Sequence, residues 1–451
     1  MNTTKSSFSS RIGFVLATAG SAVGLGNIWR FPYLAAKYGG GSFLLIYILL
    51  AVTFGFTLMI TELAIGRKTG KSAIGAFTSL DKRFSFIGYL GAIVPAIIFP
   101  YYCVIGGWVI KYGLLYGTGQ AKLAAADGTF GAFISGTAEP LSYFLLFIAA
   151  SSIVVALGVE KGIEKFSKVL MPLLVLLTIG IAIYVLTLDG SWDGVKYYLT
   201  PDLSKISLNA VCAALSQLFY SMSIAMGILV TYGSYMKKED DLCKSVVQIE
   251  LFDTGIAFLA ALIVIPAVFA FSGGDPATLG AGPSLMFIAL PKVFASMPFG
   301  TFIGAAFFIL VLFAALTSSI SLFETIVSIM MEKFNWSRIK TCVIAFVISI
   351  ALGIPSTLGY GVLDSVRIIG MQFLDFFDFI SNSVIMPIVA FFTCIFVGYV
   401  IKPKTIHDEI TQSGKFTRYG MYQVMIKYIA PPLLVLILVS AILNTFGIIQ
   451  L

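Results

Sequence analysis

Gly20-Ser21-Ala22-Val23-Gly24-Leu25-Gly26-Asn27-Ile28-Trp29-Arg30-Phe31-Pro32 lies in the middle of an apolar run, from Arg11 to about Ala36, long enough to cross a bilayer. Each of its glycines costs about 1 kcal/mol against alanine inside a helix, and a charge such as Arg30 at membrane depth costs several more. A span serving only as an anchor would not accept this. An interrupted span frees backbone N–H and C=O groups, which is tolerated where they line a cavity or are buried in protein. Freed carbonyls can hold a bare cation, and the N-terminus of the second half-helix can hold an anion. The competing reading is a glycine stripe for close helix packing.

Working outward, apolar runs predict eleven spans, at roughly 11–36, 42–66, 84–112, 141–158, 166–188, 208–234, 246–271, 299–331, 339–355, 371–401 and 422–447. Two exceed a perpendicular crossing and imply tilt or extension. The sixth, centred on Phe219 to Gly227, has a small, polar middle like the first. Broken helices at matching positions predict an inverted repeat, 11–188 and 208–401, with a midplane site. Residues 422–447 form an additional helix, and 1–451 reads as a single transporter-like unit. Two outer segments are more than connectors: 189–207 is polar and aromatic, and 275–298 carries three Pro-containing turns around an apolar centre. The second either dips into an outer vestibule or forms a surface loop with a short helix.

Composition agrees. The chain is 58% hydrophobic and 11% charged over 451 residues, which excludes a soluble globular protein. The net charge of +7 does not point to nucleic acid. With the N-terminus inside, most basic residues fall in the inner segments, including Lys5, Arg67, Lys71, Lys168, Lys237 and Lys402. That asymmetry puts the N-terminus in the cytoplasm and, with eleven spans, the C-terminus outside. Cys103, Cys212, Cys243, Cys342 and Cys394 lack metal-ligand spacing and read as reduced. The single histidine, His407, lies in a charged loop, and no nucleophile–base pair occurs at depth. An enzyme is therefore not expected.

Asp253 lies about 12 Å into the seventh span, near the middle of the bilayer. An intramembrane carboxylate is a functional candidate with a cation or proton as partner, or else a structural hydrogen bond between helices. Thr317-Ser318-Ser319 occupies the centre of the eighth span, where hydroxyls can bond back to their own helix. With Asn27, Ser221 and Asp253 they supply oxygens at one depth from four spans, a set suited to a hard cation. Arg30 and Asp378, on the outer side of their spans, read as a gate or a permanent pair. Lys5 and Glu332 occupy the corresponding inner position.

These motifs carry a resemblance. Gly20 to Pro32, Glu62-Leu63-Ala64-Ile65-Gly66-Arg67, Tyr101-Tyr102, Gly158 to Pro172, Gln217 to Tyr235 and Ala314 to Ser319 are similar to the neurotransmitter:sodium symporter family, in particular its bacterial amino-acid transporters with the leucine-transporter fold. The resemblance runs from about Arg11 to the end of the tenth span. It implies an all-α membrane protein with discontinuous first and sixth helices, in a bacterial inner membrane, importing a neutral amino acid with sodium. One sodium site would use the Ala22 carbonyl, the side chains of Asn27, Ser221 and Asp253, and the substrate carboxylate. A second would use the carbonyls of Gly20, Val23 and Ala314 with the hydroxyls of Thr317 and Ser318. The substrate carboxylate would meet the Leu25 and Gly26 amides and the Tyr102 hydroxyl. Its ammonium would meet carbonyls of Ala22, Tyr220 and Ser221 and the Ser223 hydroxyl. Ile98, Tyr102, Tyr220, Met226, Ser318 and Leu322 would enclose its side chain, and Arg30, Asp378, Lys5, Glu332 and Tyr235 would act as gates. Gly24 stands where monoamine carriers have an aspartate, so the substrate is expected to bring its own carboxylate.

The chain also departs from the family pattern. Asp253 replaces a frequent asparagine, and Ala257 replaces the serine of chloride-dependent members or the glutamate of the leucine transporter. A built-in negative charge at Asp253 predicts chloride independence, although Tyr47, Gln217 and Ser221 of the chloride pattern remain. Lys5 and Phe8 stand where arginine and tryptophan are common, which predicts a looser inner gate because lysine lacks arginine's planar fork. The Gly162–Pro172 spacing is the one bacterial relatives use to unwind the fifth helix; otherwise it is an ordinary proline near a helix start. Eleven spans rather than twelve leave oligomerisation open. A sodium-dependent sensor without net transport is the alternative, and it would need an effector domain or long tail that this sequence does not display.

Overall fold

Where no water reaches, a chain must satisfy its backbone internally, and long apolar runs therefore coil into helices. A computed structural model, describing residues 7–272 and 282–447, shows this throughout. Among the described residues, nine helices are long and apolar enough to cross a membrane: Gly41–Thr69, Lys82–Gly117, Ala138–Ala156, Val159–Leu186, Leu242–Phe271, Gly300–Phe334, Arg338–Leu358, Phe373–Val400 and Tyr419–Thr445. The first span is a bent pair, Arg11–Ala22 and Gly26–Lys37, at 55°. The sixth is two shorter helices, Leu208–Ser221 and Ile228–Gly233. Together they make the eleven expected spans. Among the described residues there is no strand, only a bridge between Ile368 and Met371.

Local signals set the ends. Ser10 caps the first helix by accepting from Gly13 N–H at 3.1 Å, and Ser207 caps the sixth span by accepting from Ala210 N–H at 3.1 Å. The second span stops where Gly70 turns left-handed at φ 61°. The fifth span begins seven residues before the expected start, in a wide turn at Val159–Glu164, and Pro172 lies inside the helix that follows.

Packing then places the broken helices. The halves of the first run against the fifth, seventh and eighth spans and those of the sixth against the second, while the third, fourth, eighth and ninth pack on one another beside them. Phe99 stacks on Phe323 with ring centroids 4.8 Å apart, and buried hydroxyls link Ser151 to Ser319 at 2.7 Å and Thr61 to Tyr422 at 3.0 Å. Such hydrogen bonds between helices act where no hydrophobic force separates helix from lipid.

Of the 275–298 segment, 275–281 lies outside the described residues. The remainder forms helical turns at Leu285–Ala289 and Leu290–Ser296. Phe287 is buried against Phe130 and Tyr112 (5.0 Å each), Trp108 (5.9 Å) and Trp29 of the first span (6.5 Å). This part dips into the bundle, as in the vestibule alternative. All five cysteines are free.

Candidate functional site

The first-span break follows from two close approaches. A Cβ at Gly24 would lie 2.7 Å from Ser318 Oγ and 3.0 Å from Tyr102 Oη; one at Gly26 would lie 2.8 Å from the Tyr220 ring. Only glycine lets the eighth, third and sixth spans come this near. Val23 leaves the helix with an extended ψ of 103°. The sixth-span break is made differently. Ser223, Ala225 and Gly227 all have positive φ (54°, 63° and 71°), and the two that are not glycine carry about 1–3 kcal/mol of strain each. Glu62 on the second span compensates: its Oε1 accepts from Ala225 N–H at 2.8 Å.

Between the breaks lies a narrow cavity with about 30 Å³ of room for water-sized molecules. All eleven residues that the resemblance assigns to substrate line it, joined by Ser21, Gly24, Asn27 and Ile228. At one end, Leu25 N–H donates to Tyr102 Oη at 3.3 Å, placing an amide and a hydroxyl together at a half-helix start. At the other, Ser223 Oγ donates to Ser21 O at 3.1 Å. Ile98, Met226 and Leu322 supply the apolar wall.

Two oxygen clusters flank the cavity. Asp253 is fully buried; its Oδ1 accepts from Asn27 Nδ2 and Ser221 Oγ, both at 2.7 Å, and its Oδ2 from Tyr47 Oη at 3.3 Å. Asn27 Oδ1 accepts from Gly24 N–H at 3.0 Å and its amide nitrogen donates to Asp253, which orients the carboxylate and leaves the second lone pair of Oδ1 for a cation. In the second cluster, Ser318 Oγ stands 3.3, 3.1 and 3.1 Å from the carbonyls of Gly20, Ser21 and Val23. One hydroxyl proton can serve only one of them. Thr317 Oγ1 lies 3.1 Å from Ala314 O, and the Thr317 Cβ approaches Gly20. This is a crowd of acceptors short of donors, an arrangement a small hard cation satisfies.

The sequence model of the Sodium:neurotransmitter symporter family matches residues 5–127 and 135–448. The chain belongs to this family. It is 36% identical, over 98% of both chains, to the uncharacterised sodium-dependent transporter YhdH of Bacillus subtilis (strain 168). It is 29% identical to the sodium- and chloride-dependent taurine transporter of Rattus norvegicus, over 89% of this chain and 72% of that one. Among solved structures, that of MhsT in complex with L-phenylalanine matches with a TM-score of 0.87 and 39% identity, covering 97% of this chain and 99% of the other. The protein is thus a multi-pass, sodium-dependent membrane symporter and not an enzyme.

On the outer side, the symporter does not pair Arg30 with Asp378. Arg30 Nη2 donates to Ser216 Oγ at 2.9 Å and its guanidinium lies over the Tyr220 ring at 5.8 Å. Asp378 accepts from Tyr101 Oη at 3.0 Å and Asn382 Nδ2 at 2.6 Å. Each charge has nearer polar partners on its own side, so the expected ion pair is absent in this conformation.

On the inner side, Lys5 lies outside the described residues. Glu332 accepts from the backbone N–H and hydroxyl of Ser72, both at 2.7 Å. The closing network centres instead on Glu324, which accepts from Tyr235 Oη at 2.7 Å and from both terminal nitrogens of Arg338 at 2.6 and 2.9 Å. Phe8 packs edge-on against Tyr232 and Tyr235 (5.6 and 6.2 Å). Glu164, at the wide turn opening the fifth span, holds the N-terminal segment through Ser9 N–H (2.7 Å), Ser9 Oγ (2.6 Å) and Ser10 Oγ (3.0 Å). Sequence reasoning did not single out Glu324, Arg338 or Glu164. The signal available was a carboxylate inside an apolar span.

Proposed function

We propose that this symporter imports a neutral amino acid with an apolar or aromatic side chain, driven by two sodium ions and without chloride. The observation that carries the reading is the cavity at the two helix breaks. It offers amide and hydroxyl groups at one end and carbonyls and hydroxyls at the other, and the close packing around Gly24 leaves no room for a fixed acidic side chain. A zwitterion therefore supplies both charges: its carboxylate goes to the Leu25 and Gly26 amides and Tyr102, and its ammonium to the Ala22, Tyr220 and Ser221 carbonyls and Ser223. The wall of Ile98, Met226 and Leu322 favours an apolar side chain, consistent with the phenylalanine bound to MhsT.

Sodium is cargo here. One ion would sit with Ala22 O, the side chains of Asn27, Ser221 and Asp253, and the substrate carboxylate; the other with Gly20, Val23, Ala314, Thr317 and Ser318. Chloride independence is supported by the hydroxyls of Tyr47 and Ser221, both of which donate to Asp253. The carboxylate takes the donors a chloride ion would need. In the cycle we infer, the bundle of the first, second, sixth and seventh spans tilts about the cavity. Arg30 and Asp378 approach as the outer side closes, and release of Phe8, Tyr235 and Glu164 opens the inner side. The excess of basic residues on one side supports a cytoplasmic N-terminus in a bacterial inner membrane.

The test is uptake into proteoliposomes of a labelled panel of amino acids under an inward sodium gradient, with gluconate replacing chloride. Accumulation of an apolar or aromatic amino acid that needs sodium and not chloride is the expected result. Binding without accumulation would refute transport, and collapse in gluconate would refute the role given to Asp253.

A further inference from the structure

The tenth span, Phe373–Val400, and the eleventh, Tyr419–Thr445, meet at a second recess that shares no residue with the cavity between the helix breaks. It is an open recess with about 390 Å³ of room for water-sized molecules, lined by Tyr399, Lys402, Lys404, Tyr419, Gln423 and Lys427 beside Gly398. We propose that this recess binds the phosphodiester headgroup of an anionic membrane phospholipid through Lys402, Lys404 and Lys427.

Charge is the first argument. None of these three lysines forms an ion pair among the described residues. The acidic residues of the adjoining helix Pro403–Ile410 are engaged elsewhere: Glu409 is buried with Arg67 at 2.9 Å and Lys238 at 2.7 Å, and Asp408 lies beside His407. Three positive charges thus converge on one recess without a counter-charge.

Backbone geometry is the second argument. Lys402 is held at φ 66° and ψ 145°, close to a region that is otherwise glycine's, and such strained positions cluster at ligand sites. Lys427 lies against bare backbone, since a Cβ at Gly398 would meet its Cγ at 3.4 Å. Tyr399 Oη donates to the Lys427 carbonyl at 2.8 Å, tying the two spans at the recess.

Position is the third. The recess lies where the tenth span ends and the eleventh begins, and tyrosine is enriched where spans meet the membrane surface. Val424, Tyr428 and Ile429 beside it are exposed, which offers acyl chains an apolar surface that a soluble anion has no use for. Lysines near an anionic surface each contribute a roughly fivefold gain in binding, so three together are worth on the order of a hundredfold.

The full-length protein in detergent is titrated with phosphatidylglycerol or phosphatidylcholine, and retained lipid is counted by native mass spectrometry. Wild type is expected to retain phosphatidylglycerol selectively, and Lys402→Gln/Lys404→Gln/Lys427→Gln to bind it on the order of a hundredfold more weakly. Lys68→Gln/Lys82→Gln/Lys415→Gln, an equal charge change on exposed lysines elsewhere, is expected to bind as wild type. Equal retention by wild type and the first triple variant overturns the proposal, as does an equal loss in the second. Displacement of the lipid by millimolar inorganic phosphate would assign the recess to a soluble anion instead. Should the triple variant not fold, Lys427→Gln is expected to lose binding and Lys427→Arg to keep it; identical behaviour of these two overturns the proposal equally.

Discussion

Replacing Asp253 with asparagine removes the one formal charge facing the first oxygen cluster while keeping the side chain's shape. The native carboxylate accepts three hydrogen bonds, from Asn27, Ser221 and Tyr47. An amide can accept only through its oxygen, so its nitrogen meets another donor at Asn27 or Tyr47. Unit charges about 4 Å apart attract by about 4 kcal/mol at an effective dielectric constant of roughly 20. The asparagine oxygen still ligates, so we discount this to about 1.4–3 kcal/mol, or a ten- to hundredfold rise in the sodium concentration for half-maximal uptake. The freed hydroxyls of Tyr47 and Ser221 become available to an anion, and chloride should restore part of the loss. The assay is sodium-dependent uptake in proteoliposomes, in gluconate and in chloride. An Asp253→Asn variant with the wild-type sodium dependence in gluconate would refute the reasoning, because the carboxylate would then contribute nothing to cation binding.

Ser318→Ala removes a hydroxyl shared among three carbonyls and should raise the sodium requirement about tenfold, at about 1–1.5 kcal/mol for one lost ligand; an unchanged sodium titration contradicts the second cluster. Gly24→Ala drives a methyl group against Ser318 and Tyr102 and should abolish uptake in a protein that still purifies as a single species, whereas retained uptake would mean the break is not held by that approach. Glu324→Gln leaves Arg338 without its buried counter-charge, a change that costs about 3–5 kcal/mol in other proteins. It should open the inner side, measured as faster labelling of a cysteine placed at Ser9. Glu250 is buried with neither carboxylate oxygen partnered among the described residues; an ionised group there is penalised by desolvation, so Glu250→Gln should leave the unfolding temperature unchanged or raise it, and a lower temperature would reveal a partner.

Eleven spans were legible because a bilayer demands apolar runs of fixed length, and that demand is met locally in sequence. The first break was legible for the same reason: Gly24 and Gly26 interrupt a run that otherwise has none of the marks of a helix end. The sixth break was harder to read, because Ser223 and Ala225 take left-handed conformations that their residue types do not advertise, and only Gly227 signals it. What sustains that break is Glu62, more than 160 positions away, bonding a backbone N–H. A backbone partner leaves no residue type to search for. The partners of the gate residues were hard to read for a related reason. Equal depth placed Arg30 opposite Asp378, but depth fixes neither rotamer nor competitor, and Ser216, Tyr101 and Asn382 lie closer. On the inner side, Glu324 stood in plain view as a charge within an apolar helix, yet its partner Arg338 follows 14 residues later at the start of the next span, where it reads as an ordinary flanking cation. Each missed residue thus takes its role from a contact between elements rather than from its own sequence neighbourhood. The cavity residues, by contrast, lie within contiguous motifs, where backbone geometry and side-chain type are specified together. A helix break exposes its own ligands, and a binding site built on two breaks is for that reason written locally, whereas a gate between moving elements is not.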